Sequence, residues 1–508
     1  MSRPAISILL AYIVCVVASA QTNRAPKIWD DEALAEWATP VAGLNVRPAH
    51  YSAAEYYAVP PDNLKTYPFY PADREPAGYW EWLQKQTPAP LVEPDEVRTK
   101  EDWIAAGERA FLDMDALLLR TNDPALIARA RDPQSFRNVR TLADGSLVPL
   151  RWVVTAKGVM LSAPACGACH VPARLRESRP DGDSGPPVQG APLRRTGLGP
   201  LAGAGATLRR LNQFYAGDPV PIALWKEFST PWAPDERVER IRSMTLPELQ
   251  SFNTTAGLGR SFVNGVFARA NGSPYFPTKI PDLHDLRYSR YLDATATHRL
   301  RGPEDIARYA ALVTGADRMD FGPHRILSDS QRRLRFRYAD EVLYAIGMYL
   351  MSLEPKKNPS PGPADLLERG QRIFEREKCS RCHPAPKYTT GKLTLAEGWK
   401  PPLDHPYRDD IMPVSVGTDP GAALKTRKGT GVYKIPSLRG VWSRRPLLHD
   451  GSLMTLEELF DAARLDPNYQ PSGWIPPGVA RRAVRGHEVG LSLTPEEKRA
   501  LSAFLRSL

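Results

Sequence analysis

Cysteine and histidine are scarce in this chain. Five Cys and nine His stand among 508 residues. That excludes a disulfide-dense scaffold, and it leaves any thiol or imidazole chemistry to a few well-placed side chains. Long apolar runs are missing beyond the first twenty residues, so no bundle of membrane-spanning helices is encoded. Charge is not lopsided enough for a disordered tail: charged residues make up 24% and hydrophobic ones 42%, an ordinary globular balance. What is plentiful is proline, 50 residues, which points to extended connections between packed pieces. A chain this long exceeds one small core, and roughly two to four domains are expected.

The chain opens MSRPAISILLAYIVCVVASAQT. Arg3 supplies a positive start, Ala5 to Val17 is apolar, and Ala18-Ser19-Ala20 offers a cleavage site. Residues 1–20 read as a secretory signal peptide, with a retained anchor as the alternative, so the protein is peripheral to the membrane at most. The expected compartment is the periplasm. Cys15 leaves with the leader, and Cys166, Cys169, Cys379 and Cys382 remain. The net charge of +10 is then read as docking on an acidic partner, such as a small redox protein, or as a soluble basic surface, and not as nucleic-acid binding.

Residues 21–144 form an irregular N-terminal extension, with helices expected near 99–131. Residues 145–161, GSLVPLRWVVTAKGVML, read strand, Ala156-Lys157-Gly158 turn, strand. This short hairpin delivers the chain to PACGACH at 164–170. A Pro/Gly/Arg-rich loop spans 172–206, and helices alternate with turns up to the apolar helix 340–353. The Pro-rich stretch 354–362 is the best linker. It separates a first unit, 145–353, from a last one, 363–508.

The four remaining cysteines fall into Cys166-Gly-Ala-Cys169-His170 and Cys379-Ser-Arg-Cys382-His383. Two C-x-x-C pairs are able to supply four zinc ligands, and one alone makes a redox dithiol. Neither use calls for a His directly after both pairs. With nine His in 508 residues, one such neighbour is a chance of about one in fifty, and two together fall below about one in a thousand. C-x-x-C-H is the attachment signature of c-type haem: two thiols on one turn take the two vinyl groups, and the next imidazole reaches the iron. Two covalently bound haem c groups are therefore expected, with His170 and His383 as proximal iron ligands.

The second motif follows an amphipathic helix carrying Leu366, Gly370 and Phe374 at i, i+4 and i+8. The chain ends with a helix announced by Thr494, Pro495 and Glu497, a capping box with Pro at the first position. The fold expected is mainly α, with two cytochrome c-type haem domains.

The segment GTGVYKIPSLRGVWSRRPLLHDGSLMTLEELFD, residues 429–461, resembles the corresponding stretch of the bacterial di-haem cytochrome c peroxidase superfamily. That superfamily includes the quinone-cofactor-forming di-haem enzyme and the di-haem rubber oxygenases. Pro436, Leu438, Arg439, His449, Asp450, Gly451, Leu456 and Glu457 carry the match, which covers the last 145 or so residues well and the rest loosely. The resemblance implies haem-proximal positions for Arg439, as a propionate partner, and for His449, without ligation. The Met that the peroxidases place on the helix after His-Asp-Gly is missing from TLEELFDAAR. Met412 and His487 are the substitutes, and G-H-x-x-G around His487 resembles the rubber oxygenases.

For the first haem, His298 is the leading distal ligand or acid/base residue, ahead of His284, His324 and Met160. Trp225 and Trp232 lie between the motifs, where a ring would suit electron transfer. Calcium is implied by the resemblance, but Asp409, Asp410 and Asp419 carry no loop signature, so no site is claimed. Three functions follow: a peroxidase-like oxidoreductase with the first haem binding peroxide or oxygen, an electron-transfer cytochrome, or an oxygenase acting on an organic substrate. The sixth position of the first haem separates them.

Overall fold

The computed structural model describes residues 24–136, 141, 144–147, 150–170, 243, 245, 248, 266–267, 276–325, 329, 332–426, 429–476 and 478–508; the side chains of 168, 169, 267 and 324 are outside that description. The expected leader at 1–20, the expected loop 172–206, Trp225, Trp232 and the side chains of Cys169 and His324 therefore lie outside the described residues.

Five helices dominate: α1 (Lys100–Asp113), α2 (Pro303–Ala311), α3 (Asp340–Ser352), α4 (Ala364–Arg376) and α5 (Pro495–Ser507). The strands of interest are β1 (Thr66–Pro68), β2 (Arg151–Thr155), β3 (Gly158–Ser162), β4 (Leu393–Leu395), β5 (Ile411–Ser415) and β6 (Val432–Lys434). Among the described residues there are six sheets, four of two strands and two of three. The architecture is mixed helix and strand with small sheets, so the mainly α expectation is met only in part. Frequent proline and glycine cut the chain into pieces too short for helix nucleation yet long enough to pair as strands.

The hairpin forms as expected. β2 and β3 pair antiparallel from Arg151–Ser162 to Thr155–Gly158, and β1 adds a third strand. Helix α1 starts where Thr99 and Asp102 close a reciprocal capping box.

Residues 21–144 are not an appendage. Trp29, Trp37 and Phe111 share one buried core with Leu343 and Ile346, and Cys166 packs against it. Helix α3 lies on α1 and α2 because two glycines allow it. A Cβ on Gly107 would stand 1.9 Å from the Ala345 carbonyl oxygen, and one on Gly347 would stand 2.3 Å from that of Pro303.

The C-terminal unit repeats the device. A Cβ on Gly370 of α4 would come within 2.1 Å of the Ala500 oxygen of α5. The Phe374 and Phe504 rings meet edge-on at 5.4 Å. Burying each such ring contributes about 1.5–3 kcal/mol. Strand β4 sits centrally, parallel to β5 and antiparallel to β6. The linker has no regular structure, but the Trp442 indole donates to the Lys356 carbonyl at 2.9 Å and the Asn358 amide to Arg506 at 3.0 Å, which fastens it to the C-terminal unit. No helix among the described residues is long and apolar enough to cross a membrane.

Candidate haem-binding site

Helix α4 ends on Glu377, and Lys378 then takes a left-handed conformation, φ 59°. That turn starts a short 3-10 helix, Cys379–Arg381, and the His383 N–H closes onto the Cys379 carbonyl at 2.9 Å. Cys379, Cys382 and His383 thereby line one cavity of about 850 Å³, whose other walls include Phe374, Leu438, Val441, Leu456, Phe460 and Leu501. Cys379 and Cys382 are free thiols. Burial pushes the Cys379 thiol up to about 11, the opposite of the lowered thiol that a redox dithiol needs. Among the described residues no group of three or more His, Cys, Asp or Glu is arranged to hold a metal ion.

His383 is 7% exposed. Its Nδ1 lies 3.0 Å from the Tyr388 carbonyl oxygen. A carbonyl only accepts, so Nδ1 carries the proton and Nε2 keeps its lone pair. Burial, aided by the nearby His487, holds this imidazole down at about 4, so it is neutral. The His487 ring stands opposite, 6.5 Å away between centroids and tilted by 42°. With metal–nitrogen bonds of about 2.0 Å and roughly 1.2 Å from ring nitrogen to centroid, two imidazoles on one metal sit about 6.4 Å apart. The observed separation matches that of two imidazoles that would share one iron. Met412 lies on β5, paired with Thr394 of β4, and does not line the cavity.

One end of the cavity is cationic. Lys279, Lys434 and Arg444 all line it, with His284 and Asp282. Lys279 donates to the Pro446 carbonyl at 3.4 Å and Lys434 to that of Tyr291 at 3.2 Å. Both ammonium groups sit deep in the protein, and burial lowers each to about 8. Arg444 is paired with Asp282, which also accepts from His284 Nδ1 at 2.7 Å; the buried Nε2 of His284 has no partner among the described residues. Two lysines and one unpaired imidazole nitrogen in the wall of a largely apolar slot suit the two carboxylates of a haem.

Arg439 was the expected propionate partner. It instead reaches Asp285 at 2.9 Å and does not line the cavity. The lysines escaped sequence reading, although a signal existed: Lys-Ile-Pro occurs twice, at 279–281 and 434–436, each time at a strand end. His284, weighed for the first haem, belongs to this cavity.

His449 lines the cavity. Its Nδ1 is 3.2 Å from the Thr418 hydroxyl and its Nε2 3.3 Å from that of Tyr433. Asp450 is buried, bonded to Ser452 and to Arg482 at 3.0 Å. Of the acidic residues weighed for calcium, Asp410 is paired with Arg290 and Tyr291, and Asp419 accepts from the Gly421 N–H.

At the first motif, Gly167–His170 forms a short helix, and His170 lies 6.0 Å from the Phe111 ring of α1. His298 is buried elsewhere in that unit, 4.2 Å from Trp37, 5.4 Å from Tyr309 and 5.8 Å from His50, with Nδ1 3.0 Å from the Thr297 hydroxyl.

No family model and no curated protein matches the chain. Among solved structures, a hydrazine synthase of Kuenenia stuttgartiensis is similar at 15% identity and a TM-score of 0.27, over 60% of this chain and 93% of that one. A MauG-like protein associated with microbial copper homeostasis is similar at 18% and 0.28, over 49% and 80%. A variant of the diheme peroxidase BthA from Burkholderia thailandensis E264 is similar at 16% and 0.21, over 48% and 64%. Scores this low carry no argument about chemistry, which rests on the residues.

Proposed function

We propose that the chain is an exported, periplasmic di-haem c-type cytochrome that transfers electrons, with a peroxidase-like activity at its first haem. The observation that carries this reading is the facing of His383 and His487, 6.5 Å apart, inside the cavity lined by Cys379 and Cys382. In this reading Cys379 and Cys382 hold one haem by thioether bonds, and Cys166 and Cys169 hold the other. His383 and His487 would hold the iron of the C-terminal haem, and His170 that of the first. Bound there, haem supplies a one-electron iron centre.

The chain's residues do the rest. His383 is fixed by the Tyr388 carbonyl, Lys279 and Lys434 meet the propionates, and apolar walls keep water from the macrocycle. Holding the iron with both imidazoles would leave no position there for an exogenous ligand, which suits that site to electron transfer. Peroxide or oxygen binding is assigned to the His170 side, with His298 as the candidate acid/base group and a small redox protein as electron donor. The filled C-terminal site favours one further reading, a plain electron carrier with both irons six-coordinate.

Electron paramagnetic resonance of the holoprotein separates the two. A peroxide-responsive or high-spin signal beside a low-spin one supports the peroxidase-like reading. Two low-spin haems indifferent to peroxide leave only the carrier.

A further inference from the structure

The loop that presents His487 is held from inside by a buried cation. Arg464, on the 3-10 turn Ala462–Leu465, is 0% exposed. Its guanidinium donates to four backbone carbonyls: Leu459 at 2.9 Å, Val484, Gly486 at 2.9 Å and His487 at 3.1 Å. The Val484 N–H returns a bond to the Arg464 carbonyl at 2.7 Å. Among the described residues no carboxylate lies within ion-pair distance of it. A full charge buried without a direct ion pair is costly; the four carbonyl dipoles offset it at close range, and the carboxylates of Glu488, Asp461 and Glu458 act on it from farther away.

The loop itself is unusual. Gly486 and His487 are consecutive left-handed residues, φ 88° and 53°, a conformation that a non-glycine residue resists by about 1–2 kcal/mol. The His487 N–H donates to Val416 at 2.6 Å while its carbonyl accepts from Arg464. The residue is clamped on both sides, so its ring direction is set by Arg464 as much as by its own preferences.

We infer that Arg464 is a positioning residue for the His487 ligand, and that its buried positive charge raises the reduction potential of the C-terminal haem. The inference rests on the ligation reading above. The sign follows from charge: reduction adds one electron and no proton, so a fixed nearby cation in a low-dielectric interior favours the reduced state.

The test uses the full-length holoprotein and two variants, with spectroelectrochemical titration and low-temperature electron paramagnetic resonance. R464Q removes the charge; the equilibrium constant for reducing this haem falls about tenfold, or about 59 mV for one electron. R464K keeps the charge but cannot span four carbonyls. Its potential stays nearer to the parent's, part of its C-terminal haem turns high spin, and added imidazole restores the low-spin signal. Should R464Q not fold, R464K decides by spin state alone. Parent-like spin state in R464K, or a parent-like potential in a folded R464Q, overturns the inference. His487→Ala is the control. If it leaves the low-spin signal intact, the ligation reading itself has failed. If it turns the haem high spin while both Arg464 variants behave as the parent, only the inference about Arg464 has.

Discussion

The two C-x-x-C-H regions are built on one device by different routes. In each, a helix pair crosses at a glycine, Gly107 against Ala345 in the first unit and Gly370 against Ala500 in the last. In the last unit the helix runs straight into the motif, α4 ending three residues before Cys379. In the first, α1 ends at Asp113 and the chain makes an entire hairpin before Cys166. A bond from the Ala165 N–H to the Met114 carbonyl at 2.7 Å then brings the motif back to the helix end. The lesson is that the contact of helix and motif is what matters, and that the chain between them is free to lengthen.

The largest effect that separates the regions is loss of the cofactor. Cys379→Ala should cost covalent retention of the C-terminal haem and Cys166→Ala that of the first, read by intact mass and the pyridine haemochrome spectrum. Two retained haems in both variants would break the assignment.

Next come the crossings. Gly107→Val and Gly370→Val each force a side chain into a carbonyl and should each lower stability by about 3 kcal/mol, seen as a fall in the urea midpoint. A cost confined to one variant would mean that only one unit uses its glycine as drawn.

A smaller, pH-dependent effect belongs to the C-terminal region. Although burial alone would raise it, His449, Arg482 and the Ser452 bonds together hold the Asp450 carboxyl below its usual range. Its folded value is below the unfolded one, so its stabilisation is present above about pH 4 and is lost as pH falls through the folded value. Asp450→Asn should cost about 2 kcal/mol at neutral pH and flatten the acid limb of the stability curve. An acid limb as steep as the parent's would assign that sensitivity elsewhere.

The smallest effects are at the caps. Thr99→Ala and Thr494→Ala each remove a capping box and should each cost about 1 kcal/mol, checked by thermal melting. Unequal shifts would show which helix is held mainly by its partner.

Much of this is legible in the one-dimensional order of residues, for a physical reason. Both attachment motifs, the hairpin with its Ala156-Lys157-Gly158 turn, the helix 340–352 and the Thr494 box are signals contained in about ten neighbouring residues, where spacing and periodicity act directly on the backbone. Other matters concern residues far apart in the chain. That His487 and not Met412 lies beside His383, that Arg439 turns to Asp285 while Lys279 and Lys434 line the cavity, and that Arg464 is sealed beneath the His487 loop were decided by packing alone. A lone His, Lys or Arg looks the same in sequence whether it meets solvent, a carboxylate or a cavity. Only the tertiary fold sets the burial and the partners that distinguish these fates.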